Sequence, residues 1–200
     1  MPSYKVIYFN GRGYAETTRM MLAHVGQEFE DVRYTQEEWL EHKPNVPLQQ
    51  LPNLEVDGKI IPQSRAIHGF VAREFGLNGA SNEETTKIDI ILGTLEDISR
   101  HMQSGETDEE KKKEKLAEFY AQTAPKYLTG LEKMLADNND GDGFFVGSKI
   151  SRADIFFYVV TEYLAEDELK KYPKLVALKE RVAKDANIAA WLAKRPQTPW

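Results

Sequence analysis

Leu51 to Ile67 reads LPNLEVDGKIIPQSRAI. Leu54 and Val56 alternate with Glu55 and Asp57, Gly58 follows, and Ile60-Ile61 resume the apolar run. Alternation before Asp-Gly and an apolar run after it predict a β-hairpin with that pair at its turn. Pro52 stands at the entry of the first strand, where a missing N–H removes no ladder bond. Past Pro62-Gln63-Ser64, the spacing of Ala66, Ile67, Phe70 and Val71 predicts a helix with Ser64 as its cap. A helix start offers free N–H groups and the positive end of its dipole, which suit a carboxylate. Hairpin, polar pair and helix start together suit a small acidic, peptide-like ligand.

Upstream, Tyr4–Phe9 (YKVIYF) is a short β-rich run, and Asn10-Gly11-Arg12-Gly13 is a turn cluster. Helical periodicity begins near Tyr14, directs Met20, Met21, Leu22 and Val25 inward and stops at Gly26. Phe29–Tyr34 (FEDVRY) alternates again, so strand, helix and strand form a βαβ unit whose strands should be parallel. Residues 35–50 are irregular, with a short helix expected around Glu37–Glu41.

Gly76-Leu77-Asn78-Gly79 ends the helix after the hairpin, and Ala80-Ser81-Asn82 reads as a linker. The expected division is therefore residues 1–79 and 82–200. Beyond the linker the pattern is helical: Ile88, Ile91, Leu92, Leu95 and Ile98 recur at three and four residues. Gly105–Lys115 is a charge run, read as a solvated loop and helix start. Leu116–Leu135 continues as helix, with Pro125 expected to bend or split it. Asn138–Gly143 (NNDGDG) is a turn-rich break without the twelve-residue, glutamate-terminated spacing of a calcium loop. Ser151-x-x-Asp154 opens an apolar helix as a capping box, and a last helix pair follows Pro173.

Composition narrows the partners. The net charge is −6 with no basic patch, which argues against nucleic acid or an anionic membrane surface. No run approaches the ~20 apolar residues of a membrane span, and no leader peptide is visible, so a cytoplasmic protein is expected. With no cysteine there is no disulfide, thiolate metal site or cysteine nucleophile.

The proline-led hairpin followed by Gln63-Ser64 and Ala66-Ile67 resembles the glutathione-binding half of cytosolic glutathione transferases. Ser3–Asn10 with Arg12-Gly13 and Ala15-Glu16 is similar to the sigma class, which includes prostaglandin D synthase. The resemblance covers nearly the whole chain. It implies a thioredoxin-like N-terminal domain (βαβαββα, mixed sheet) followed by an all-helical domain that carries the hydrophobic electrophile site and a dimer interface. It implies glutathione as co-substrate, a homodimer and a role in detoxification.

Residue by residue, Tyr8 falls on the family's catalytic tyrosine; read alone, a strand-end tyrosine is a packing residue. Trp39 and Lys43 match the groups that hold the glycine carboxylate. Gln50 and Leu51 match the backbone segment that pairs with the cysteinyl unit, ahead of Pro52, a cis proline in the family. Gln63 and Ser64 match the pair at the γ-glutamyl carboxylate, and Asp97 an acid reaching the γ-glutamyl ammonium of the other subunit. Phe9, Arg12, Tyr14 and Trp200, with the helices around His101 to Gly105, are the expected electrophile site.

The chain also departs from the family. Tyr14 stands where an arginine usually assists the catalytic tyrosine, which implies weaker thiolate stabilisation. Ala15–Arg19 lacks the proline of A-E-P-x-R, and Pro47-Leu48-Gln49 replaces P-F-G. Gly93 interrupts an acidic cluster that binds divalent metal in the mammalian synthase, so no metal requirement is expected. Three functions follow from the resemblance: transferase, glutathione-dependent prostaglandin isomerase, and a non-catalytic binding or lens protein.

Overall fold

A computed structural model describes residues 2–102, 107–198 and 200. The chain divides into two compact units, Met1–Leu77 with Lys184–Trp200, and Asn78–Ala183.

The first unit opens with β1 (Tyr4–Phe9), α1 (Glu16–His24), β2 (Glu30–Tyr34) and α2 (Gln36–His42), then β3 (Asn53–Val56), β4 (Lys59–Pro62) and α3 (Ser64–Glu74). The sheet order is β2-β1-β3-β4, with β1 parallel to β2 and the remaining pairs antiparallel. This is the expected mixed thioredoxin-like sheet. Val6, Leu54, Met20, Met21, Leu22, Ile67 and Val71 are buried. Burial of such side chains stabilises by roughly 1.5–3 kcal/mol each.

Three local details differ from the sequence reading. A 3₁₀ turn over Gly13–Ala15 precedes α1, which begins only at Glu16. Val25 lies beyond α1 and is half-buried. Ser64 is the first residue of α3, and Gln63, at φ +72°, occupies the cap position without a side-chain cap bond. A capping side chain belongs to the residue just before the first helical one, so Ser64, already in the first turn, is not placed to cap α3.

The second unit contains α4 (Asn82–Met102), α5 (Glu109–Glu118), α6 (Ala124–Ala136), α7 (Arg152–Thr161), the short α8 (Glu166–Leu169) and α9 (Pro173–Ala183). Ile88, Ile91, Leu92, Leu95 and Ile98 form the buried face of α4. The break expected at Pro125 is a π-helical turn over Phe119–Thr123, between α5 and α6. Proline lacks the N–H that would continue the ladder, and the wider turn absorbs the interruption. α7 packs against α4 and α9 and is buried on most of its circumference, as suits its apolar sequence. Its capping box forms: Asp154 accepts the Ser151 N–H at 2.8 Å and the Ser151 hydroxyl at 2.7 Å. It also accepts the Phe145 N–H at 2.8 Å. Burial is the main influence on Asp154 and pushes its carboxyl up to about 6.

α10 (Ala186–Lys194) returns to the first unit and packs on α1. The sequence reading assigns residues 184–200 to the helical half. Ile188 and Trp191 are instead buried within the first unit, and Asn187 donates to the His24 carbonyl at 2.9 Å.

Candidate active site

Strand register gathers the predicted glutathione residues of the first unit at one end of its sheet. Ile7 pairs with Asn53 and Asn53 with Pro62. One step further toward the same end come Tyr8, Pro52 and Gln63. Phe9 pairs with Tyr34 at the end of β2, directly before Thr35, which caps α2. The ends of β1, β2 and β4, the start of β3 and the start of α3 thus share one edge. Ligands of α/β sheets bind where strand ends and helix starts meet in this way.

Tyr8 is 7% exposed. Its ring meets Phe9 at 5.6 Å and Trp200 edge-on at 6.4 Å between centroids. Gly13, at φ +38°, lies directly against it: a Cβ there would stand 2.7 Å from both the Tyr8 hydroxyl oxygen and Cε1. Only glycine permits this approach with that backbone.

On α2, the Thr35 hydroxyl accepts the Glu38 N–H while the Glu38 carboxylate accepts the Thr35 N–H. Trp39 is buried, edge-on to Phe9 at 6.1 Å and stacked on Tyr34 at 6.5 Å. His42 stacks on the same Tyr34 at 4.5 Å. This aromatic cluster fixes α2 to the sheet end. Lys43 follows α2 and is half-buried.

The Leu51–Pro52 peptide is cis. Gln50 is exposed, its carbonyl accepts the Asn53 side-chain amide at 3.0 Å, and its own side-chain oxygen accepts from Gln63 Nε2 at 3.4 Å. The two glutamines therefore meet across the strand end. Just upstream, Leu48 and Gln49 hold φ at +58° and +48°, so the segment that lost the family's glycine keeps a left-handed backbone.

Of the predicted electrophile residues, Phe9 and Trp200 touch the Tyr8 ring, and the Arg12 N–H donates to the Trp200 main-chain oxygen. Tyr14 is 51% and Trp200 45% exposed, with Arg12 and Phe9 half-buried. Asp97 belongs to α4 in the second unit, partly exposed and paired with Arg100 at 2.9 Å. His101 lies near the end of α4, stacked on Phe119 at 5.3 Å. Gly105 lies outside the described residues. No group of His, Cys, Asp or Glu suited to a metal ion occurs among the described residues.

Sequence reading missed a buried ion network bonded to the turn that follows β1. Glu16 and Arg19 are fully buried, and Arg19 bonds Glu16, Asp31 and the carbonyls of Gly11 and Arg12. Their i,i+3 spacing allows the pair to form on α1, but nothing in the polar run Glu16-Thr17-Thr18-Arg19 signals its burial. Glu16 also accepts from Trp191 Nε1 at 2.8 Å and Arg195 at 2.9 Å.

A four-stranded mixed sheet entered through a cis proline, with helix and strand ends converging on a tyrosine, defines a thioredoxin-like binding unit. Family models for the glutathione S-transferase N-terminal domain match residues 4–73, and for its C-terminal domain residues 96–195. Glutathione S-transferase S1 of Drosophila melanogaster is 39% identical over 98% of this chain and 80% of its own length. Hematopoietic prostaglandin D synthase of Gallus gallus is 38% identical over 99% of both chains. The solved sigma class transferase of Fasciola hepatica is 30% identical, with a TM-score of 0.90 over 100% of this chain and 99% of that one. The chain belongs to the glutathione S-transferase family, whose co-substrate is glutathione. No helix among the described residues is long and apolar enough to cross a membrane.

Proposed function

We propose that Tyr8 donates a hydrogen bond to the sulfur of bound glutathione, holding it as thiolate for attack on a hydrophobic electrophile. A free thiol has a pKa near ~8.5, so only a few per cent is ionised at neutral pH. Lowering it by about two units takes ~2.7 kcal/mol of selective stabilisation of the anion. A hydroxyl aimed at sulfur supplies much of that, because bonds to ionised acceptors are the strong kind.

The observation that carries this reading is the strand register, which pairs Ile7 with Asn53 and Asn53 with Pro62, so that Tyr8, Pro52 and Gln63 follow as the next residues at one sheet end. Glutathione laid along that edge would set its γ-glutamyl carboxylate at the start of α3, beside Gln63 and Ser64. Its cysteinyl unit would run along Gln50 and Leu51, ahead of Pro52. Its glycine carboxylate would reach Trp39 and Lys43. Phe9, Arg12, Tyr14 and Trp200 would flank the electrophile. Tyr14 brings no positive charge, so we expect a smaller thiol shift than an arginine there would give.

The test is the ultraviolet difference absorbance of bound glutathione against pH, for wild type and Tyr8→Phe. A bound thiol that ionises below its free pKa, with the shift lost in Tyr8→Phe, supports the reading. Binding without any shift in either protein refutes it and leaves a binding or structural role.

A second reading, glutathione-dependent prostaglandin D synthesis, is favoured by the Gallus gallus relative. It uses the same thiolate on an endoperoxide, and product analysis with prostaglandin H separates the two. We further propose a homodimer in which Asp97 serves the other subunit's γ-glutamyl ammonium, in a cytoplasmic protein. A monomer in solution with undiminished glutathione affinity in Asp97→Ala would contradict the shared site.

A further inference from the structure

Residues 11–13 form the wall between Tyr8 and the buried ion network. On the inner side, the Arg19 Nε donates to Asp31 at 2.7 Å. Its Nη1 donates to the Gly11 carbonyl at 2.8 Å and reaches the Arg12 carbonyl at 3.4 Å and Glu16 at 3.3 Å. The second Asp31 oxygen accepts from Arg33 at 2.8 Å, and Arg33 Nη1 approaches the same Gly11 carbonyl at 3.5 Å. On the outer side, the Arg12 N–H donates to the Trp200 main-chain oxygen at 2.7 Å, and Gly11 lies against the Trp200 indole. The next residue, Gly13, is the one pressed on the Tyr8 hydroxyl.

Stability alone does not account for this arrangement. Desolvating a guanidinium and two carboxylates costs several kcal/mol per ion, and apolar side chains of similar volume often serve a core as well. What an apolar core cannot do is donate to a buried main-chain carbonyl from a planar, rigid fork, as Arg19 Nη1 does to Gly11 at 2.8 Å. Asp31 and Glu16 orient that fork, and the fork fixes the loop that bears on Tyr8. A hydrogen bond to sulfur loses effect when its donor moves by more than about 0.5 Å or 10–20°.

We propose that Arg19, oriented by Asp31 and Glu16, is a positioning residue for Tyr8: it holds the Gly11 carbonyl, and with it the turn through Gly13, so that Gly13 keeps the phenol aimed at the glutathione sulfur. This rests on the reading of Tyr8 as the group that stabilises the thiolate.

The test compares Arg19→Lys, Asp31→Asn and Tyr8→Phe with wild type. The bound-thiol pKa is read by ultraviolet absorbance, with glutathione KM, kcat and thermal unfolding measured alongside. In Arg19→Lys the thiol pKa should rise by about half to one unit, to a value between wild type and Tyr8→Phe. The kcat should fall about three- to tenfold, because a smaller fraction of bound glutathione is held as thiolate, with KM for glutathione within about twofold, because the contacts to the rest of the tripeptide are untouched. Loss of stability alone would leave the thiol pKa of the folded fraction unmoved. Asp31→Asn keeps the side-chain shape and carries the same test if Arg19→Lys fails to fold. A wild-type thiol pKa in the folded Arg19 and Asp31 variants, beside a shifted one in Tyr8→Phe, overturns the clamp and leaves Tyr8 standing. A wild-type value in Tyr8→Phe overturns both.

Discussion

Gln63 holds φ at +72° immediately ahead of α3, while its side-chain amide meets Gln50. A side chain in left-handed backbone costs roughly 1–2 kcal/mol, and such strain tends to persist where a site requires it. Replacing Gln63 by glycine removes that cost and the amide together. We expect Gln63→Gly to equal or exceed wild-type stability by up to about 1 kcal/mol, after the unfolded-state entropy of glycine is counted. Glutathione affinity should fall about tenfold, the worth of one bond to a charged group. Calorimetry beside thermal unfolding checks both, and unchanged affinity would make Gln63 a turn residue only. Gly13 gives the opposite case. In Gly13→Ala the new methyl would press on the Tyr8 hydroxyl from 2.7 Å at φ +38°. Turnover should drop at least about tenfold and stability by about 1–2 kcal/mol, measured by steady-state kinetics and urea unfolding. At this scale the residues that match family positions were named through the resemblance, since read locally Tyr8 is a packing residue at a strand end and Trp39 lies in an irregular stretch. The burial of Arg19 was not legible, since a charged residue early in a helix ordinarily faces water and only tertiary packing buries it.

Among the elements, α7 was the most legible, because Ser151-x-x-Asp154 announces its start. The third donor to Asp154, the Phe145 N–H, comes from a loop whose path no local pattern gives. That enclosure has a consequence for pH. The Asp154 carboxyl rises from 3.8 to about 6 on folding, chiefly through burial. A raised acid binds its proton more tightly in the folded chain, so stability from this group is greatest below pH ~4, declines between about 4 and 6 and is level above that. Two units correspond to about 3 kcal/mol. Between pH 4 and 7 wild type should therefore lose about that much relative to Asp154→Asn, which does not titrate. Urea unfolding of both proteins at the two pH values checks it, and a constant difference would mean that the three donors outweigh desolvation. The π-helical turn before Pro125 was half legible: proline marked the break, but not the wider turn that absorbs it.

For the whole chain, the sequence separates an α/β part from a helical part because the apolar period changes from two to three-and-four. It does not disclose that residues 184–200 belong to the first unit. Ile188 and Trp191 carry helical spacing that says they are buried, but spacing does not name the surface that buries them. Removing residues 184–200 should strip cover from α1 and leave Glu16 without Trp191 and Arg195. Hydrogen exchange should then quicken in α1 and β2 while α7 keeps its protection, and equal loss everywhere would argue against two units. The β3–β4 hairpin has a practical use. Val56 pairs with Lys59 and with Tyr4, so the Asp57-Gly58 tip lies at the far end of the sheet from Tyr8. Lys59 is exposed beside that tip, and the chain has no cysteine. A single thiol introduced as Lys59→Cys would be a unique chemical handle, allowing the protein to be tethered to a sensor surface or dye with the Tyr8 end of its sheet facing outward.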